Sequence, residues 1–325
     1  MIITRSPLRV TLGGGGTDLP SYYHEHGGFI LSAAINKYVY VAVNESFRTK
    51  ISLKYSQLED VDFVEQVQHP VIREALKMTG VTTSIDITSI ADIPAGTGLG
   101  SSGSFTCALL KALYTLDGVT LTAQDLAERA FKIEAEILRQ PVGKQDQYIA
   151  AVGGITSFII DVNGKVDVKS LVMPTEAQTD LEENLLLFFT GYSRLASEVL
   201  RNQDVKSLQN DREMIRHLDG TKNLGFAIEE MLKHGRLRDF AYAMHVHWSN
   251  KRQQLGMSNS YIDDLYKIGL KNGALGGKLV GAGGGGFLMF YTEDAEKLRA
   301  AMSKIKLREV HFKFDFEGTK VLVNP

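Results

Sequence analysis

The stretch "IADIPAGTGLGSSGSFTCALLKAL", Ile90 to Leu113, runs a set of glycines and serines into the start of an apolar helix. Gly98, Gly100 and Gly103 spell G-x-G-x-x-G, the dinucleotide fingerprint. That motif also needs a second strand carrying an acidic residue roughly 20 residues further on. Here the helix expected from Ser101 leads through Asp117-Gly118 into another helix, so the second strand is missing. The same pattern recurs at Gly281, Gly283 and Gly286, where a strand follows instead. A Walker A loop fails as well: Lys144, Lys165 and Lys278 each follow a glycine, and none precedes Ser or Thr. The protein-kinase partners V-A-I-K, H-R-D and D-F-G are absent from the sequence. What survives is simpler physics. A glycine-rich turn opening a helix at Ser101 offers unpaired N–H groups and the positive end of a helix dipole, and together these bind phosphate. A Ser hydroxyl there can also ligate Mg²⁺. Nucleotide phosphate binding is the reading; an ordinary Ser-capped helix is the alternative.

The rest of the chain sets bounds on that reading. Its 325 residues fit two domains, and 44% apolar with 23% charged residues is ordinary for a globular protein. Lysines and arginines number 36 against 38 acidic residues, a net charge of −2, which argues against nucleic acid or an anionic membrane surface as partner. The longest apolar runs, such as Leu185 to Phe189, are too short to span a bilayer. Met1 to Arg5 shows no signal-peptide apolar region. Cys107 is the only cysteine and sits mid-helix, where it reads as a small buried hydrophobe. The expectation is a cytoplasmic enzyme.

Periodicity predicts a strand pair around Pro7 over 2–12, long strands over 28–44, and shorter ones over 50–55 and 83–90. Helices are expected at 70–79, 101–116 and 123–139, the last ended by Pro141, and at 143–152. Strands at 154–161 and 165–172 should meet at an Asn163-Gly164 turn. A polar stretch over 174–184 then reads as the boundary between an N-terminal unit, 1–178, and a C-terminal one, 179–325. Beyond it come a strand at 185–190 and helices at 195–202, 210–234, 236–253 and 260–272. A glycine run, a strand at 287–291, a helix at 293–304 and a hairpin turning at Glu317-Gly318 complete the chain. This interleaving without strict βαβ alternation predicts an α+β fold.

Of the 31 glycines, 15 fall in three clusters, 13–16, 96–103 and 276–286, as expected where backbone must approach something closely. A phosphoryl-transfer site also needs a base and cations. Glu134 and Asp146 flank Pro141, and a kink there could aim both carboxylates at one point. A solvated Glu134 and a first-turn Asp146 are the bland readings. Arg9 leads into the first glycine cluster and Asp18 follows it, an arrangement suited to polyhydroxyl ligands or to an Asx turn. On "AMHVHWSNKRQQL", His245, Trp248 and Arg252 share one helical face, and His247 and Lys251 share another. The two histidines therefore point apart and do not read as a zinc pair. Lys251-Arg252 suits either a substrate phosphate or solvent.

With these pieces in place, the chain resembles the GHMP small-molecule kinases. "SPLRVTLGGGGTDLPSYY", "IPAGTGLGSSGS" and "GGKLVGAGGGGFLMF" look like that family's three motifs, in order, across nearly the whole length. The resemblance implies an N-terminal domain like ribosomal protein S5 domain 2 and a ferredoxin-like C-terminal domain with added helices. It implies ATP and Mg²⁺ as cofactors and a small-molecule sugar or sugar phosphate as partner; a homodimer is compatible with it. Gly96, Gly98, Leu99, Gly100, Ser101, Ser102 and Gly103 would bind the nucleotide, with Ser101, Ser102 and Glu134 toward the metal. Asp146 would be the base and Arg9 its cationic neighbour. Gly14, Gly15, Gly16, Thr17, Asp18, Asp146, Lys251, Arg252, Gly283, Gly284 and Gly285 would face the substrate. Galactokinases carry Gly-Glu-His before Thr-Asp, where this chain has Gly14-Gly15-Gly16. The four-glycine first motif and the C-terminal segment resemble instead the branch acting on a heptose 7-phosphate, with L-fucokinase domains as near relatives.

Overall fold

The computed structural model describes residues 1–191, 196–209, 211–253, 257–281 and 283–324, with the side chains of 196–199 and 202 excepted. The ends expected at residues 195 and 210 lie outside the described residues. A long antiparallel pair, β1 (Ile2–Gly14) and β2 (Gly28–Glu45), is bridged by the short helix α1 (Pro20–His26). Pro7 has no N–H to give the ladder. It shifts the register between Pro7 and Leu8 without breaking the strand, so the expected strand pair is one bulged strand. β3 (Ile51–Lys54) and β4 (Leu58–Val61) form a hairpin at the sheet's edge. Helix α2 (Pro70–Thr79) starts on proline and ends at a left-handed Gly80. β5 (Ile85–Ala91) then inserts between β2 and β3.

The central helices follow. α3 (Ser101–Leu116) and α4 (Ala123–Phe131) precede a π-helical turn over Lys132–Ile137, and α5 (Gln145–Val152) comes after it. The helix expected to run to residue 139 therefore widens at Lys132 and stops at Ile137, ahead of Pro141. Arg139 takes φ 51°, which helical backbone cannot accommodate. β6 (Ile155–Ile160) pairs with the start of β2, and β7 (Val166–Ser170) pairs with β6.

Residues expected as a polar boundary instead form α6 (Thr175–Asn184), so residue 178 lies inside a helix. Only Ala177 and Leu181, one turn apart, are buried, which is too sparse an apolar stripe to read from sequence. The second sheet begins with β8 (Leu185–Phe189). Helices α7 (Ala196–Leu208), α8 (Arg212–Lys233), α9 (Leu237–Lys251) and α10 (Ser260–Lys271) lead to β9 (Ala274–Leu279). β9 was hidden in the glycine run. A Cβ at Gly276 would lie 1.8 Å from Ala241 O and one at Gly277 2.4 Å from Met289 O, so bare backbone lets α9 and β10 close on it. β10 (Phe287–Thr292), α11 (Ala295–Lys304) and β11 (Arg308–Glu309) complete an antiparallel sheet of order β11-β8-β10-β9.

The expected terminal hairpin does not form. Asp315 accepts the amides of Glu317 and Gly318, turning the chain back, and β12 (Lys320–Val323) adds to the open edge of β1. One apolar core runs from Leu8 and Phe29 in the first sheet to Leu187, Phe240 and Met289 in the second unit. Cys107 is buried in it, as expected, and donates to Gln147 O. No described helix is long and apolar enough to cross a membrane.

Candidate functional site

The N-terminus of α3 opens onto a cleft between the two sheets. Three glycine loops meet there, and their residues divide the labour. A Cβ on Gly98 would lie 2.7 Å from Val280 O, and one on Gly281 2.7 Å from Gly98 O. The second and third loops thus touch backbone to backbone, which only glycine permits. Gly96, Gly98, Gly100, Ser101, Ser102 and Gly281 line the cleft. Gly283, Gly284 and Gly285, expected at the substrate, are not among its lining residues. Gly283 packs on Met257, and Gly284 N donates to Met257 O at 3.0 Å.

Two expected cofactor residues serve the framework. Leu99 is buried in the core, and its carbonyl accepts from Arg9 N at 3.0 Å. Gly103 faces α5: a Cβ there would meet Asp146 C and Cβ at 2.8 Å. Its missing side chain sets how closely α5 brings Asp146 to the loop.

Arg9 projects from the buried strand β1 and donates through Nε to Asp146 Oδ1 (2.8 Å) and through Nη1 to Gly98 O, with Nη2 in an ion pair 2.7 Å from the same Asp146 oxygen. Both carboxylate contacts use one oxygen. The Asp146 side chain stays 31% exposed while that of Arg9 is 7% exposed, so the carboxylate is fixed from behind and open in front. Across the loop, Ser102 donates to Glu134 Oε2 at 2.8 Å and Thr106 to Oε1 at 2.6 Å. Glu134 lies on the π turn, a form of helix that recurs at functional sites. Burial pushes its carboxyl up, while the Thr106 and Ser102 hydroxyls oppose the shift.

Asp18 caps α5 by accepting from Gln145 N at 3.0 Å and lines the cleft. Burial raises its pKa, the Gln145 amide opposes this, and nearby Asp146 adds to it. Gly14, Gly15 and Gly16 also line the cleft, and Gln203 donates to Gly16 O at 3.1 Å. Thr17, expected at the substrate, is turned away: its hydroxyl donates to Phe29 O and accepts from Phe29 N.

Lys251 and Arg252 part company. Lys251 faces the cleft and donates to Gly281 O at 2.8 Å. Arg252 is not a lining residue and sits 3.8 Å from Asp263. Adjacent positions on a helix point about 100° apart, so a single ligand cannot engage both easily. Sequence reasoning passed over Lys278, His247 as a cleft residue, Gln145 and Gln203. The one available signal for Lys278 was a lone charge inside the glycine and apolar run "ALGGKLVGAGGGG".

An oxygen-only pair, the Ser102 hydroxyl and the Glu134 carboxylate, suits a hard cation that keeps water and phosphate ligands, as Mg²⁺ does. Among the described residues there is no group of three or more His, Cys, Asp or Glu side chains that could enclose a metal. The donor set therefore fits a metal that arrives with phosphates.

An open helix N-terminus, a carboxylate held by a guanidinium and a hydroxyl–carboxylate pair are the parts a phosphotransferase needs. Residues 62–154 match the model described as the GHMP kinases N-terminal domain and residues 227–307 the GHMP kinases C-terminal model. The chain belongs to the GHMP kinases, which use ATP. It is 27% identical to D-glycero-alpha-D-manno-heptose 7-phosphate kinase of Campylobacter jejuni over 98% of each chain. A bifunctional fucokinase/GDP-fucose pyrophosphorylase of Arabidopsis thaliana is 27% identical over 95% of this chain and 31% of that protein. A crystal structure of a D-glycero-D-manno-heptose 1-phosphate kinase from Bacteroides thetaiotaomicron superposes with TM-score 0.83 at 25% identity, covering all of both chains. The expected α+β fold of two joined GHMP domains is the observed one.

Proposed function

We propose that the chain transfers the γ-phosphoryl group of ATP to the anomeric hydroxyl of a sugar, with D-glycero-D-manno-heptose 7-phosphate as acceptor and the 1,7-bisphosphate as product. The observation that carries this is Asp146, fixed through one oxygen by Arg9 beside the phosphate loop. Its open face would accept the acceptor's O–H proton as the new O1–P bond forms and the bond from Pγ to the β,γ-bridging oxygen breaks, releasing ADP. Arg9 holds the carboxylate in place and lies where charge develops. Amides at the start of α3 would hold the nucleotide phosphates. Ser102 and Glu134 would hold Mg²⁺, with Ser101 beside them; the metal supplies charge neutralisation on the phosphates. Asp18 and the Gly14–Gly16 backbone would face the sugar hydroxyls. Residues 1–178 would supply the nucleotide side of the cleft, and 179–325 the cations opposite it.

The heptose phosphate is favoured over an unphosphorylated sugar by Lys251, a half-buried cation facing the cleft, and by the similarity to the Campylobacter kinase. L-Fucose is the rival acceptor, on the similarity to the Arabidopsis protein. An ADP-release panel with heptose 7-phosphate, free heptose, L-fucose and galactose separates them. The expected result is the highest kcat/KM with heptose 7-phosphate; a higher value with fucose would reassign the acceptor.

Lys251→Met is expected to raise KM for heptose 7-phosphate roughly tenfold to a hundredfold, the worth of a lost charge-assisted hydrogen bond. An unchanged KM would leave Lys251 without a role at the substrate. Burial, with Arg9 nearby, brings the Lys251 ammonium down to about 8. His247 and Lys278 face it as well and add no negative charge. Its charge is thus lost as pH rises through about 8, and KM for the phosphorylated acceptor should climb there. The stability sign is opposite. The folded value lies below the unfolded one of about 10.4, so the unfolded chain holds the extra proton between them, and stability should rise across that window.

A further inference from the structure

Lys278 is 3% exposed, and its ammonium donates to Leu12 O at 3.1 Å. It shares a face of β9 with Gly276, the residue whose bare backbone admits α9. That packing sets Lys278 on the same wall as His247 and Lys251, which stand one turn apart on α9. Among the described residues, no carboxylate lies within ion-pair distance of Lys278 or Lys251, and Arg9 is already committed to Asp146. Each lysine satisfies one carbonyl and has further donors to offer.

A cation buried without a counter-charge costs several kcal/mol as a general rule, and Lys278 is such a group, with the half-buried Lys251 beside it bringing no negative charge. Methionine would pack the same space without that cost. A negatively charged ligand in the cleft would supply the missing partner. Leu12, the partner of Lys278, immediately precedes the Gly13–Gly16 loop, whereas the nucleotide phosphates have their own amides at the start of α3. We propose that Lys278, together with Lys251, forms an anion site for the phosphate monoester of the acceptor and makes the enzyme select a phosphorylated sugar. This rests on the acceptor assignment made above. Burial and the neighbouring Lys251 and Arg9 push the Lys278 ammonium well below its usual range. An arriving phosphate should therefore draw a proton onto it.

The test is calorimetry of inorganic phosphate binding to the whole protein saturated with a non-hydrolysable ATP analogue and Mg²⁺. Running it in two buffers of different ionisation enthalpy reads proton uptake. The wild type should bind phosphate with net proton uptake. Lys278→Met should bind about tenfold or more weakly and melt at the same or a higher temperature, since the cost of burying an ionisable group is removed. Lys278→Gln, which keeps a donor to Leu12 O, should show the same loss and guards against a folding defect. Equal phosphate affinity in the variants overturns the site. So does phosphate binding that vanishes once the analogue is bound, because the anion would then be the nucleotide's. If heptose 7-phosphate proves not to be a substrate while phosphate still binds through Lys278, the sugar assignment falls and the anion site stands.

Discussion

Asp146→Asn is expected to fold normally and to lose about 10²–10⁴ in turnover, the usual worth of a general base. The variant isolates proton acceptance. Asn keeps an oxygen for the Arg9 Nε and Nη2 contacts, so side-chain placement should survive while basicity is lost. KM for ATP should change little, because the nucleotide phosphates are assigned to backbone amides and to Ser102 and Glu134. Steady-state kcat with a thermal melt on the same sample decides it. Activity within a few-fold of wild type would remove Asp146 as the base.

The next largest effect should come from Gly103→Ala. A Cβ at this position would come within 2.8 Å of Asp146 C and Cβ and 2.9 Å of Gln147 N. The backbone and Cβ atoms it meets cannot swing aside like a flexible side-chain tip, so α5 must move away from α3. Overpacking of this kind costs about 1–3 kcal/mol. The functional cost should be larger than the stability cost suggests. A displacement of about 1 Å in a catalytic group can cost about 10² in rate. The expected outcome is a folded protein with kcat down by about that factor and KM for ATP nearly unchanged. If Gly103 instead served the nucleotide directly, KM for ATP would rise and kcat would hold. The measured KM-against-kcat split separates positioning of Asp146 from phosphate contact.

These two residues illustrate what could be read from the sequence. The loop itself was legible, because glycine spacing followed by serines and an apolar helix is a local pattern; α2 and α3 match their expected bounds. Glu134 and Asp146 were legible as a pair flanking a break, although Glu134 sits on a π turn and the helix stops at Ile137, ahead of the proline. Gly103 looked like part of the phosphate loop. Its real neighbour lies on α5, 43 positions away, and no local pattern carries that contact. Lys278 was missed for a similar reason: its burial depends on Gly276 admitting α9, and a glycine run hides the strand that does this. The placement of β12 on β1 is a pairing across more than 300 residues, while Glu317 and Gly318 locally suggested a hairpin. Lys251 and Arg252 were read together where helix geometry separates them.

The central claim is phosphoryl transfer to an anomeric oxygen, and NMR of the product tests it most directly. After incubation of the protein with ATP, Mg²⁺ and D-glycero-D-manno-heptose 7-phosphate, the sugar should carry a second phosphorus resonance coupled to its anomeric proton, formed in step with ADP. A new phosphate coupled to any other sugar proton, or ADP released with no new sugar phosphate, would contradict it.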